Sequence, residues 1–148
     1  MSEVLARVET PLNPTEDPGK VLRAIRNLFP NCAPAVVRID ERHAKFEGSI
    51  ARLEDLDNLR SLLRQEAIRD AARKLLFKSI SGSSIVVHLN KQAAFAGKVS
   101  FCERYDESPL GPITLTIATE NPEQLIDWLA PSSRRRQQIG DQTARARF

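Results

Sequence analysis

Alternating apolar and polar residues along this chain mark its strands. Runs with a two-residue period predict six strands, at residues 4–8, 36–39, 44–48, 84–89, 99–101 and 113–117. The three residues Asp40-Glu41-Arg42 fit a short turn, so we expect the second and third strands to pair as a hairpin.

Apolar residues spaced three and four apart predict four helices. They lie at residues 18–29, 53–79, 91–96 and 122–129. The second is long for one globular helix, so we expect a break near Gln65 and an end signal at Gly82. Asn90 can cap the short third helix, and Gly97 can supply the left-handed residue that ends it.

The order of these elements predicts an α+β fold. Hairpins mixed with helical crossovers favour two layers, in which an antiparallel-rich sheet is covered by helices on one face. A chain of 148 residues has the size of one domain, and we assign that domain to residues 1–131.

Charge divides the chain unevenly. Residues 132–148 contain five arginines and one acid, whereas residues 1–131 contain 17 basic and 18 acidic residues. The net charge of +3 therefore comes from the C-terminal segment, which follows Pro131 and has few apolar residues. We interpret residues 132–148 as a flexible basic tail, and a terminus that only aids solubility explains it equally well.

Two segments carry residues suited to RNA phosphates. One is the arginine run of the tail, because guanidinium groups bind phosphate in a forked geometry. The other surrounds the start of the short helix. The candidate nucleic-acid-binding residues are Asn90, Lys91, Gln92, Lys98, Arg134, Arg135 and Arg136. Capping and packing of the short helix explain its residues without any ligand, so both interpretations stay open.

The long helix carries a further set of cations. Its arginines at positions 60, 64, 69 and 73 could form a basic ridge. Glu66 and Asp70 lie among them, and we expect these acids to offset the ridge and leave a solvated face. Eight aromatic residues are present, and no exposed aromatic pair that could stack on bases is evident from their positions.

The sequence gives little support for catalysis. Cys102, His88 and Asp106 could form a triad, but no neighbouring feature is expected to activate the thiol, and a buried structural cysteine explains Cys102 better. The two histidines and two cysteines lack metal-ligand spacing, and no glycine-rich phosphate loop follows a strand. We therefore expect no catalytic residue, no metal and no cofactor.

Several motifs together resemble a known family. The runs LNKQAAFAGKVSF (Leu89–Phe101), SPLGPI (Ser108–Ile113) and IDWLAP (Ile126–Pro131), with QEAIRDAARKLLFKSI (Gln65–Ile80), are similar to a family of small archaeal proteins of unknown function. The resemblance covers nearly all of residues 1–131 and excludes the tail. It implies a fold similar to the ribosomal large-subunit protein that binds 5S RNA, and therefore RNA binding by analogy of fold.

These observations lead to one expected function and two alternatives. We expect a non-catalytic RNA-binding or ribonucleoprotein-associated protein. It has no membrane span, because no apolar run approaches about 20 residues, and its two isolated cysteines favour the cytoplasm. The first alternative is a protein-interaction or homodimerisation module that uses an exposed sheet edge. The second is a cysteine-dependent enzyme.

Overall fold

The computed structural model describes residues 3–105 and 110–132, which form an α+β fold. Seven strands lie in this part of the chain: β1 (Glu3–Leu12), β2 (Ala35–Arg38), β3 (Ala44–Arg52), β4 (Ile80–Ser81), β5 (Ser84–Leu89), β6 (Phe101–Cys102) and β7 (Ile113–Ala118). They form one sheet in the order β2-β3-β1-β7-β5-β4, and β6 pairs with β5 further along the same outer side. Every pairing is antiparallel, which confirms the predicted class of sheet.

Five α-helices accompany the sheet in the same residues. They are α1 (Pro18–Leu28), α2 (Asp57–Gln65), α3 (Arg69–Lys78), α4 (Lys91–Phe95) and α5 (Pro122–Leu129). A 3-10 turn at Leu53–Leu56 leads into α2. The predicted long helix is therefore two helices, and the expected break near Gln65 is confirmed. Ala67 allows this break by adopting a left-handed backbone with φ +57°, which is uncommon for a residue with a side chain.

The sheet buries one face and leaves the other open. Ala6 lies opposite both Ile50 and Ile117, and Ile117 lies opposite Ile85, so the row crosses four strands. All four side chains are buried and belong to one core with the apolar faces of α1, α2, α3 and α5. Because strand side chains alternate between faces, the residues between them project from the opposite, open face.

The glycine after α3 has a different role from the one predicted. Ile80 lies opposite Ile85 and Ser81 opposite Ser84, so Gly82 and Ser83 form a two-residue hairpin loop. The helix ends earlier, at a cap on Ser79, and the prediction that Gly82 ends it is wrong. Gly82 has φ +59°, and such a left-handed residue suits a tight hairpin as well as a helix end.

One outer edge of the sheet is exposed. Every residue of β2 is exposed, and Val36 and Val37 keep 50% and 40% of their surface in contact with solvent. The other outer side of β5 is divided between β4 and β6, which have two residues each. An exposed edge was expected from the sequence, and whether a partner strand or second copy pairs there stays a prediction.

The described residues leave some expectations open. The core runs from β1 to Ala130, whereas Ser133 to Phe148, which make up nearly all of the predicted tail, lie outside the described residues, as do 106–109. None of the helices within residues 3–105 and 110–132 combines the length and the hydrophobicity that a membrane span requires. The similarity to the 5S RNA-binding ribosomal protein stays an expectation.

Candidate nucleic-acid interface

The short helix α4 begins and ends as its sequence predicts. The side-chain oxygen of Asn90 accepts a hydrogen bond from the Ala93 amide at 2.8 Å, which caps the helix. Gly97 follows the helix with φ +79°. The capping interpretation of Asn90 therefore holds, and its side-chain oxygen already has a donor within the fold.

Lys91 was predicted to contact RNA, but its surroundings in the fold do not suit that role. Its side chain is buried, with 4% of the residue exposed. Its Nζ donates to the backbone oxygens of Pro11 at 2.8 Å and Leu110 at 2.9 Å, and forms an ion pair with Glu16 at 3.1 Å. These acceptors match the three N–H bonds of an ammonium group, so none remains for a phosphate.

The burial of Lys91 also affects its proton affinity. Removal from water lowers the pKa of Lys91, while the hydrogen bond and charge of Glu16 oppose that change. The role of Lys91 is to join α4 to the end of β1 and to the residue before Gly111. The sequence interpretation that placed Lys91 on RNA is therefore corrected.

The remaining predicted residues divide into two groups. Gln92 within α4 and Lys98 after it are exposed, and their predicted contact with RNA stays a prediction. Arg134, Arg135 and Arg136 lie outside the described residues, so their predicted role is likewise open.

The helices carry most of the positive charge of the folded domain. The five α-helices contain ten basic and four acidic residues. In α1 no acidic residue is present, and Lys20, Arg23 and Arg26 are all exposed. The lack of acids in PGKVLRAIRNL could have been noticed from the sequence, but only the fold shows that these helices share one side of the sheet.

Three arginines converge where α2, α3 and the end of α5 meet. Arg60, Arg64 and Arg69 line a small cleft of about 30 Å³, which Ser61 and Pro131 complete. We call this group the arginine cleft. Its volume suits one small anionic group better than a base or a sugar, because a cavity needs roughly 10–15 Å³ to hold a single water molecule.

Arg60 is fixed in place by the end of α5. Its Nε donates to the backbone oxygen of Trp128 at 2.9 Å, and its guanidinium lies 5.0 Å from the centre of the Trp128 ring. Arg73 holds the same helix end, since its Nη1 donates to the Ala130 oxygen at 3.2 Å and pairs with Asp127 at 2.7 Å. Both arginines satisfy carbonyl groups that a helix end leaves without partners.

Arg64 and Arg69 differ from these two arginines. In residues 3–105 and 110–132, neither forms an ion pair or a hydrogen bond through its side chain. Glu66, which the sequence led us to expect as their counter-charge, instead accepts the Val99 amide at 3.1 and 3.2 Å. The expectation that Glu66 offsets this ridge is wrong, because the break after α2 turns its carboxylate toward the loop after α4.

Charges on the open face of the sheet are paired with one another. Lys45 contacts Glu9 at 2.9 Å and Glu47 at 3.1 Å, and Arg7 lies 3.7 Å from Glu47. The hydrogen bonds that Lys45 donates to Glu9 and then to Glu47 raise the pKa of Lys45. This face therefore offers phosphate fewer unpaired cations than the helical side does.

The residues of the predicted triad are partly brought together. His88 on β5 and Cys102 on β6 are direct cross-strand partners, so two members of this candidate triad lie side by side. Cys102 is buried, and Nδ1 of His88 lies 2.9 Å from the Thr114 hydroxyl. Burial lowers the pKa of His88, which favours a neutral ring at pH 7. Asp106 lies outside the described residues, and the absence of catalysis stays a prediction.

His88 also contacts an aromatic residue that the sequence did not single out. The rings of His88 and Tyr105 meet edge to face, with centroids 5.6 Å apart, and Tyr105 is 52% exposed. His88 is only partly exposed and is not one of the eight Phe, Tyr and Trp residues, so the expectation that no exposed pair of these residues is present stays a prediction. No spacing rule connects these two residues, because they meet only through the pairing of β5 with β6.

The described residues contain no cluster of side chains typical of a metal-binding site. Within them, no group of three or more histidine, cysteine, aspartate or glutamate side chains could hold an ion. Cys32 is a buried thiol whose pKa is raised by burial and then by the charge of Asp55.

Comparison with known proteins agrees with the extent of this fold. A family model described as RNA binding matches residues 6–119, from β1 through β7. A UPF0201 protein of Sulfurisphaera tokodaii is 43% identical over 142 residues, which is 90% of each chain. A second UPF0201 protein, from Methanopyrus kandleri, is 47% identical over 130 residues, or 81% of this chain and 80% of the relative.

A solved structure shows the same similarity to UPF0201 proteins. The crystal structure of a UPF0201 protein from Methanococcus jannaschii superimposes with a TM-score of 0.77 at 30% identity. The match covers 87% of this chain and 94% of that protein. These two relatives and this solved structure therefore each match more than four-fifths of the chain.

Proposed function

The chain belongs to the archaeal UPF0201 family, and on that premise we propose that it binds RNA, with its helical side supplying the phosphate contacts. The observation that carries this proposal is the match of an RNA-binding family model to residues 6–119. That range excludes the basic tail, so in this proposal the folded domain makes RNA contacts of its own.

The arginine cleft and α1 support the location of the contacts. Arginine presents a planar fork of N–H donors that matches phosphate oxygens, and Arg64 and Arg69 have no competing carboxylate within the described fold. Lys20, Arg23 and Arg26 extend the cationic surface onto α1, a third helix of the same layer. Such contacts recognise the RNA backbone with little dependence on sequence.

We further propose that the protein catalyses no reaction and that it acts in the cytoplasm. Two buried thiols, Cys32 and Cys102, fit a reducing compartment, and their burial keeps them from acting as surface nucleophiles. The expected kinship with the ribosomal protein that binds 5S RNA points in the same direction, through analogy of fold alone.

The test is binding of a labelled single-stranded RNA to the full chain at several salt concentrations. We expect the affinity to fall as salt rises, with a slope of about 0.7 for each phosphate contact on a log–log plot. Replacing Arg64 and Arg69 together by alanine removes two contacts and lowers that slope by about 1.4. Fluorescence anisotropy measures the slope directly.

The matched control removes the same charge elsewhere. Arg7 and Arg52 are exposed sheet residues whose side chains already pair with Glu47 and Glu54. The double alanine variant at these positions leaves the slope nearly unchanged if the helical side carries the contacts. Equal losses in the two double variants would show that only net charge matters, and a wild-type protein that binds no RNA would refute the proposal.

A further inference from the structure

A second, larger cleft lies at the end of the sheet, on the side opposite the helices. It measures about 520 Å³, which falls in the range of pockets that hold small ligands. Its walls come from the end of β1 and the residues that follow it, from the turn between β2 and β3 with the start of β3, and from Tyr105 and Thr114. We call it the sheet-end cleft.

One wall of the sheet-end cleft is an oriented aromatic ring. Tyr105 is half-exposed and contacts the ring of His88, and His88 in turn is held by the buried Thr114 hydroxyl at 2.9 Å. The exposed side chain of Ile39, with 62% of its surface in solvent, lines the same cleft. An aromatic ring and an aliphatic side chain beside an open cleft suit a flat, largely apolar ligand.

The charges that line the cleft nearly cancel. Glu9 pairs with Lys45, and Asp40 accepts hydrogen bonds from the backbone and the ring of His43 at 2.8 Å. Such a lining does not attract a phosphate into the cleft, but the carboxylates can accept hydrogen bonds from amino groups. Arg42 lines the same cleft without a carboxylate partner in the described ranges, and its positive charge completes this near balance.

We propose that the sheet-end cleft holds one unstacked nucleotide of the bound RNA, with its base on Tyr105 and its amino group toward Glu9. This inference rests on the proposed RNA binding and adds a base preference to it. Adenine, cytosine and guanine carry an exocyclic amino group and uracil does not, so the cleft discriminates against uracil. Stacking of single-stranded bases on aromatic side chains is a common mode of RNA recognition.

The experiment compares ten-residue homopolymers of adenylate, cytidylate and uridylate binding to the full chain. We expect the first two to bind more tightly than oligouridylate. Tyr105→Ala weakens binding of oligoadenylate roughly 5- to 150-fold, the range expected for loss of one stacked base. Glu9→Gln removes the preference against uridylate while Lys45 keeps Glu47 as its partner. Phe95→Ala, which removes an exposed aromatic from α4, leaves the affinities unchanged.

The two proposals can fail separately. If Tyr105→Ala and Glu9→Gln bind every homopolymer as the wild type does, while Arg64→Ala with Arg69→Ala weakens them all, the nucleotide cleft is overturned and RNA binding stands. If no homopolymer binds the wild-type chain, RNA binding itself fails and the cleft proposal falls with it. Circular dichroism of each variant checks that its fold is retained.

Discussion

The ammonium group of Lys91 occupies a buried site in which each of its N–H bonds has an acceptor. Glu16, whose side chain is 8% exposed, lies 75 positions away in sequence and supplies the opposite charge. A pair of this kind is costly to break, because the partner that remains is a buried, uncompensated charge.

We therefore predict that Lys91→Met destabilises the protein by about 3–5 kcal/mol. Urea denaturation followed by circular dichroism measures the free energy of unfolding. Lys98→Met is the matched control, since Lys98 is exposed nearby and its loss should change stability by less than about 0.5 kcal/mol. Similar unfolding midpoints for the two variants would contradict the structural role assigned to Lys91.

Local signals at residue scale were predictable, whereas distant partners were not. Asn90 and Gly97 are read correctly from a few neighbouring positions, because caps and left-handed residues depend on local backbone geometry. The sequence around Lys91, which lies between these two residues, gives no sign that its side chain is buried. Its burial depends on where Pro11, Glu16 and Leu110 come to lie, and no local pattern records that.

At the scale of elements, the break between α2 and α3 determines where the arginines point. Ala67 adopts a left-handed backbone there, which costs a residue with a side chain roughly 1–2 kcal/mol. A helix running unbroken from residue 53 to 79 would send Glu66 along the same ridge as the arginines. The break instead directs Glu66 to the Val99 amide and leaves Arg64 and Arg69 beside Pro131.

Two identical substitutions should accordingly have opposite effects. Ala67→Gly removes the left-handed strain and stabilises the protein by up to about 1 kcal/mol. Ala71→Gly, at an exposed position inside α3, destabilises it by about 1 kcal/mol because glycine is a poor helix former. Thermal and urea unfolding of both variants measure these changes in the free energy of unfolding. Destabilisation of equal size at both sites would show that Ala67 is unstrained.

The sequence predicted most elements because their periodicities are strong. It missed the hairpin of β4 with β5, whose first strand has two residues and therefore no detectable period. It also could not place the sheet-end cleft, which is assembled from β1, the turn before β3, and Tyr105. Such a cleft depends on strand order and register, which the pattern of single strands does not give.

At the scale of the whole molecule, positive charge is divided between the helical layer and the C-terminal segment. The helices hold ten basic and four acidic residues, and residues 132–148 hold five arginines and one acid. The proposed RNA contacts of the domain and of the tail should therefore add, because distant phosphate contacts release counterions independently.

Replacing Arg134, Arg135 and Arg136 together by alanine should lower the salt slope of RNA binding by up to about 2. The triple lysine variant keeps the charge and should retain most of that slope. An alanine variant with an unchanged slope would remove the tail from the binding mechanism and leave the folded domain as the site. Anisotropy titrations over the same salt range give both values.

The unequal edges of the sheet limit how the molecule can associate. On one side, β2 leaves its outer backbone groups free of strand partners in the described residues, while the opposite side is interrupted between β4 and β6. Sheets that grow by adding molecules edge to edge, as in a fibril, need two continuous free edges on every molecule. A copy that joined another through β2 would use the only continuous edge that the described residues of each copy offer, so growth would stop at a closed pair.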